Sequence, residues 1–168
     1  MQLRVIGISL AVSGCLLSSD IEAQANHDTD ILRIAYDTIE VNLPRGRRVI
    51  ATNGPLLVVP RGQEDSVALA NRRLASTLGL ASVGQDEVVT CRRSYDCSFK
   101  EDIAATLSLR MVSRTTDSAL VQVAIQYFIP PWPQRANPNW RAIALYEVRL
   151  VLRAGRWVVT NVSVRAES

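Results

Sequence analysis

The feature that most constrains this chain is a change of period. From residue 103 onward, apolar residues recur at every second position. Ile103, Ala105, Leu107, Leu109 and Met111 form the first such run, and Ala119, Val121, Val123, Ile125 and Tyr127 the second. Ala144, Tyr146, Val148, Leu150 and Leu152 form a third, and Val158, Thr160, Val162 and Val164 a fourth. A period of two places one face of a strand on a core and the other toward polar surroundings. Four consecutive runs predict an antiparallel meander with one buried face. Opposed residues share a face, so the apolar sets must face one another. That parity favours a three-residue loop at Arg153-Ala154-Gly155, with Leu150 opposite Val158, Val148 opposite Thr160 and Tyr146 opposite Val162. The same argument gives an odd loop around Thr115-Thr116-Asp117.

Before residue 87 the pattern is helical. Ile31 to Val41 carries Ile31, Ile34 or Ala35, and Ile39 on one face, with Asp28 or Asp30 as cap and Pro44 and Gly46 as terminators. A second helix is expected over Glu64 to Leu78, with Val67, Ala70, Leu74 and Leu78 as its stripe. Glu64 and Asp65 favour the dipole in its first turn, and Gly79 stops it. Between the helices, residues 47–59 are β-branched and apolar around Asn53-Gly54, which predicts a hairpin, and Pro55 predicts an edge position. Residues 87–90 read as a short strand leading to a cysteine loop. The expected fold class is therefore α+β: two N-terminal helices packed on a curved antiparallel sheet of about four to six strands.

The N-terminus reads as a targeting segment. Arg4 precedes an uncharged stretch, Val5 to Leu17, that is shorter than the roughly 20 residues a bilayer span needs and suits a secretory signal. Two cleavage points compete. Ala23-Gln24-Ala25 is acceptable to an ordinary signal peptidase. Val12-Ser13-Gly14-Cys15 resembles a bacterial lipobox, which implies acylation of Cys15 and, with Leu16 following, outer-membrane sorting. The expected organisation is a signal segment over 1–25 and a single domain over 26–168 with a short polar tether at its start, exported to the periplasm. The membrane is reached through the lipid alone.

Three cysteines are an odd number for an exported chain. Loss or lipidation of Cys15 leaves Cys91 and Cys97, in CRRSYDC, as a structural disulfide pair. Their spacing is not that of a Cys-x-x-Cys redox motif, though Arg92 and Arg93 would activate free thiols. Two thiols without a nearby histidine do not make a zinc site.

Several activities lack residues. The one histidine, His27, lies at the start of the mature chain, which excludes histidine triads and histidine metal clusters. No Gly-rich phosphate loop is present, so no cofactor is expected. The net charge of +3 rises by one when Arg4, Asp20 and Glu22 are removed. It is spread over scattered arginine pairs without a run of five, so nucleic acid is not an expected partner.

The order helix, strand, helix, meander, and the C-terminal stretch Tyr146 to Leu152, Gly155, Trp157 and Val158 to Val164, resemble the nuclear-transport-factor-two-like superfamily of cystatin-like α+β cones. The resemblance implies a cone and either a non-catalytic binding module or an enzyme of ketosteroid-isomerase type, with phenols and a carboxylate in the cone. Tyr36, Tyr127 and Tyr146 are the candidate pocket phenols. Glu147 is on the wrong parity to join them, and Asp37 is a possible helix contribution. The Pro- and Trp-rich loop 130–140 offers Trp132, Arg135 and Trp140 as a candidate rim for a ligand or partner. The expected function is a non-catalytic envelope module binding a small apolar molecule or an envelope protein. The alternatives are a small cone-type enzyme with a Tyr-lined pocket and a purely structural lipoprotein.

Overall fold

The computed structural model describes residues 14–41, 43, 45–53, 57, 59–93, 96–99, 103–128 and 141–167. It describes the side chains of these residues except those of 14–23, 85–86, 89–99, 128, 141–142 and 166–167. The elements are α1 (Gly14–Glu40), β1 (Arg47–Ala51), α2 (Glu64–Leu78), β2 (Ala81–Val83), α3 (Gln85–Val88), β3 (Val89–Arg93), β4 (Asp96–Phe99), β5 (Ile103–Arg114), β6 (Ser118–Phe128), β7 (Arg141–Arg153) and β8 (Arg156–Glu167). The segment 1–13 and the loop 130–140, with Trp132, Arg135 and Trp140, lie outside the described residues.

The class is α+β, with the expected four-strand meander. The sheet is mixed rather than antiparallel throughout. Its order is β2-β1-β5-β6-β7-β8, and β1 runs parallel to both β2 and β5. The two long helices are not both N-terminal to the sheet, because β1 separates them. α2 links β1 to β2 as the crossover of a parallel pair, a connection too long for a hairpin. Among the described residues of 47–59, no second strand follows β1 to make the expected hairpin. β1 ends at the Thr52-Asn53 turn, and its neighbours are β2 and β5, so it is an interior strand. β2, with three residues, was too short to register as a period-two run.

α1 begins at Gly14, well before the expected cap at Asp28 or Asp30, and it includes the stretch expected as a polar tether. Asp28 is docked, ion-paired with Arg114 of β5. The buried stripe of α1 is Ile31, Leu32, Ala35, Tyr36 and Ile39. α2 follows its expected bounds. Gly79 adopts φ 66°, and the Leu80 N–H returns to the Ala75 carbonyl at 2.9 Å, the left-handed exit that glycine favours.

Both helices lie on one face of the sheet. Ile50, Leu74, Leu107, Leu109, Val121, Val123, Ile125, Val148 and Leu150 join the α1 stripe in one core. Each fully buried Leu or Ile contributes about 1.5–3 kcal/mol relative to exposure. A smaller cluster of Val49, Val88 and Ile103, with Val83 against it, covers β1 elsewhere. Residues 85–88 are the short helix α3 rather than strand, so only Val89 and Thr90 of the expected strand belong to β3.

The meander keeps the expected parity by a different device. At the first hairpin Arg114 pairs with Ala119, and the Thr115 N–H bonds the Ser118 carbonyl at 2.8 Å, leaving a two-residue Thr116-Asp117 tip. A bulge between Met111 and Ser113 then brings Met111 against Val121 and Leu109 against Val123. At the last hairpin Arg153 pairs with Arg156, so the loop is Ala154-Gly155 alone, with φ of 49° and 75°. Positive φ at both positions is the two-residue turn whose twist matches a hairpin. Leu150 meets Val159, and after a bulge Val148 meets Val162 and Tyr146 meets Val164. The expected pairs Leu150–Val158, Val148–Thr160 and Tyr146–Val162 are thus corrected. An extra residue within the strand, not within the loop, restores the apolar phase.

Candidate functional site

The three candidate phenols occupy different places around the core. Tyr36, on α1, is 3 % exposed and belongs to the core. Its neighbour one turn on, Glu40, pairs with Arg48 of β1 at 3.0 Å. Burial pushes the Tyr36 phenol above its ordinary value. Arg48 opposes that shift, and Glu40 and Asp37 add to it. Arg48, Ala105 and Tyr127 share one row across β1, β5 and β6. Tyr146 sits in another row, between Val123 and Val164. Four residues along β6 separate Val123 from Tyr127, about 13 Å. Tyr127 and Tyr146 both pack against the edge of the core, half-buried.

In the Tyr36–Glu40–Arg48 group the phenol is buried, while the paired Glu40 and Arg48 side chains reach solvent. A buried phenol beside a carboxylate is held in its protonated form. The guanidinium compensates the carboxylate charge. The residues of this group come from different elements, and only the i, i+4 spacing of Tyr36 and Glu40 was visible beforehand.

A second polar arrangement crosses the sheet on the face away from the helices. Arg110, Gln122, Glu147 and Ser163 occupy one row of β5, β6, β7 and β8. Arg110 Nη2 donates to Gln122 Oε1 at 2.9 Å, and Gln122 Nε2 reaches Glu147 Oε1 at 3.4 Å. Arg165 Nη2 donates to Glu147 Oε2 at 2.7 Å. The Arg165 bond holds the Glu147 carboxyl below its ordinary value, against the opposing effect of burial and with help from Gln122. Arg110 Nε is buried without a partner. Glu147 is on the parity expected for it, away from the phenols. The row itself was not foreseen, although even-odd parity combined with the strand order would have revealed it.

A third polar group serves the fold. Asn71, on α2, is fully buried. Its Nδ2 donates to the Leu109 carbonyl at 2.8 Å and the Val67 carbonyl at 2.9 Å, while its Oδ1 accepts from the Leu109 N–H at 2.9 Å. A half-open cleft of about 370 Å³ lies beside the start of α2, lined by Thr52, Leu57, Glu64, Asp65, Val67 and Ala68 among others. Glu64 there already accepts from the Gly62 N–H at 2.7 Å.

Cys91 and Cys97 are register partners in the β3–β4 hairpin, a two-stranded sheet separate from the main one. Their side chains, and that of Cys15, are not among those described. Among the described residues, no group of three or more His, Cys, Asp and Glu could hold a metal ion, and no helix is long and apolar enough to cross a membrane. Comparison with family models, curated proteins and solved structures returned no match to this chain.

Proposed function

We propose that this chain is an exported envelope protein anchored by a lipid on Cys15, carrying a non-catalytic binding module that acts through its surface. In this reading the sheet curves into a cone about α1 and α2. Cys91 and Cys97 are bonded, and the partner is an envelope protein or a small apolar molecule. The observation that carries the reading is the state of Tyr36. The phenol beside a carboxylate, the arrangement most like a catalytic one, is buried at 3 % exposure, and Arg48 engages its Glu40 partner. A substrate would have to open the core to reach it. The large apolar side chains that remain exposed include Leu152, Val158, Val162 and Val164 on β7 and β8. The enzymatic reading keeps one observation in its favour, the same Tyr36–Glu40 contact.

Intact mass of the mature protein from its native envelope tests the proposal. The expected species begins at an acylated Cys15 and has the mass of one disulfide. Cys15→Ala should release the protein into the soluble fraction. A mature N-terminus at Asn26 would remove the lipid anchor, and alkylation of both Cys91 and Cys97 in unreduced, denatured protein would remove the bridge. A catalytic turnover lost in Glu40→Gln would replace the binding reading with the enzymatic one.

A further inference from the structure

β8 ends the sheet. β7 takes one of its edges, and no strand lies along the other among the described residues. Twelve residues make this a free edge of roughly 40 Å. Long edges are usually blunted by charge or proline, yet Trp157 to Val164 contains neither. Val162 and Val164 pair with Val148 and Tyr146, which places them on the helix face, but they are 41 % and 51 % exposed. Trp157 and Val159 share that face at the other end of the strand and pack against the core. Between them, Thr160 is the extra residue of a bulge, since Leu150 pairs with Val159 and Arg149 with Asn161.

The bulge changes the parity of the strand midway. Apolar positions facing the helices are 157 and 159 before it and 162 and 164 after it. Such a strand is complementary to itself. Antiparallel pairing about a two-fold axis between Thr160 and Asn161 sets Val162 against Val159 of a second copy, and Val164 against Trp157 of that copy. Ser163 meets Val158 on the opposite face. A shift of one residue sets Val159 against Asn161 or Ser163. A shift of two sets a valine against Thr160 or Asn161.

We infer that β8 is a homodimer edge, at which two copies of this chain pair antiparallel and extend the sheet across a two-fold axis. The inference rests on the reading of the chain as a module that binds through its surface. Twelve residues a side is fewer than the roughly 20–30 of a standard interface, so the affinity is modest. Tethering on a membrane raises the effective concentration. Arg165 comes opposite Arg156 of the second copy, and both are exposed, so rising ionic strength screens this repulsion and tightens the pair.

The test is disulfide trapping of the full chain in its envelope, scored against the unsubstituted chain. Asn161→Cys lies beside the axis, opposite Thr160 of the second copy, and only one residue, about 3 Å along the strand, from its own counterpart. Val158→Cys is equally exposed but five residues from its counterpart, about 16 Å, beyond the roughly 7 Å limit of a disulfide. The expected result is an adduct of twice the chain mass for Asn161→Cys, none for Val158→Cys, and loss of the adduct when Val164→Lys is added. Equal adducts at both positions would mean random collision and overturn the inference. A folded Asn161→Cys protein with no adduct would overturn it too, and the bulge would then be edge protection. An adduct formed only with a different protein overturns self-pairing and leaves the surface-binding reading standing.

Discussion

The two flanks of the sheet are finished differently. On the β1 side, side chains take over backbone groups where the strand pairing ends. β1 pairs with β5 as far as Ile50 and Leu107. Where β1 departs, Ser108 Oγ donates to the Ala51 carbonyl at 3.0 Å. One residue further, the Asn71 amide takes both the N–H and the carbonyl of Leu109. Side chains thus continue a ladder that the strand has left, and both Ser108 and Asn71 are buried. On the β8 side the edge is long, and valines on the helix face stay half in water. The difference separates two tasks. Side-chain hydrogen bonds to the backbone reinforce the sheet beneath a helix on the first flank, and the surface left for a partner lies on the second.

The largest effect expected from this contrast comes from Asn71. Asn71→Leu keeps the volume but strands the N–H and the carbonyl of Leu109 in the core. An unsatisfied buried group costs about 1–3 kcal/mol, so the loss should be about 2–5 kcal/mol. Val162→Thr, on the exposed flank, should stay within about 0.5 kcal/mol. Urea unfolding of both variants measures the contrast, and equal losses would abolish it.

The same division explains what could be read beforehand. α2 was legible to the residue because three local signals agree: acidic residues at its start, a stripe at helical spacing and Gly79 at its end. The meander was legible as strands because period two persists through each run. Its loops were not. Parity shows that one residue must be added between two apolar sets, but it does not show whether the turn or the strand takes it. At both hairpins the strand does. The parallel pairing of β1 was hidden because it depends on the three-residue β2 and on a partner, β5, far along the chain. Of the candidate pocket, Tyr127 and Tyr146 stood on the apolar strand faces in the alternation, whereas Tyr36 was not on the helix stripe that the spacing gave, although it is buried in the core. Their separation followed from register, which the alternation alone does not carry.

A smaller effect, of opposite sign, is expected at the tip of the exposed flank. Ala154 holds φ at 49° in the two-residue turn to β8. A left-handed conformation costs a non-glycine residue about 1–2 kcal/mol. Ala154→Gly relieves this, and the greater chain freedom of glycine when unfolded offsets part of the gain. A net stabilisation of about 0.5–1 kcal/mol is expected, read as a raised midpoint in urea. A lowered midpoint would show that the turn is not under strain.

The smallest effect lies in the polar row of the outer face. Glu147 is almost buried, whereas its partner Arg165 is 55 % exposed on β8, so solvent screens the pair. Such a contact is expected to contribute less than about 1 kcal/mol. Its sign with pH is nonetheless fixed. The folded carboxyl titrates below its unfolded value, so the contribution is fully present above the unfolded pKa and is lost as pH falls through the folded one. Glu147→Gln keeps the shape and removes the charge. The stability difference between the parent and Glu147→Gln should therefore be flat from neutral pH down to about pH 5 and shrink below the ordinary glutamate range near 4.5. If the difference instead grew as the pH fell, the carboxyl would have to be raised by burial, and the exposed flank would carry an unpaired acid rather than a bridged one.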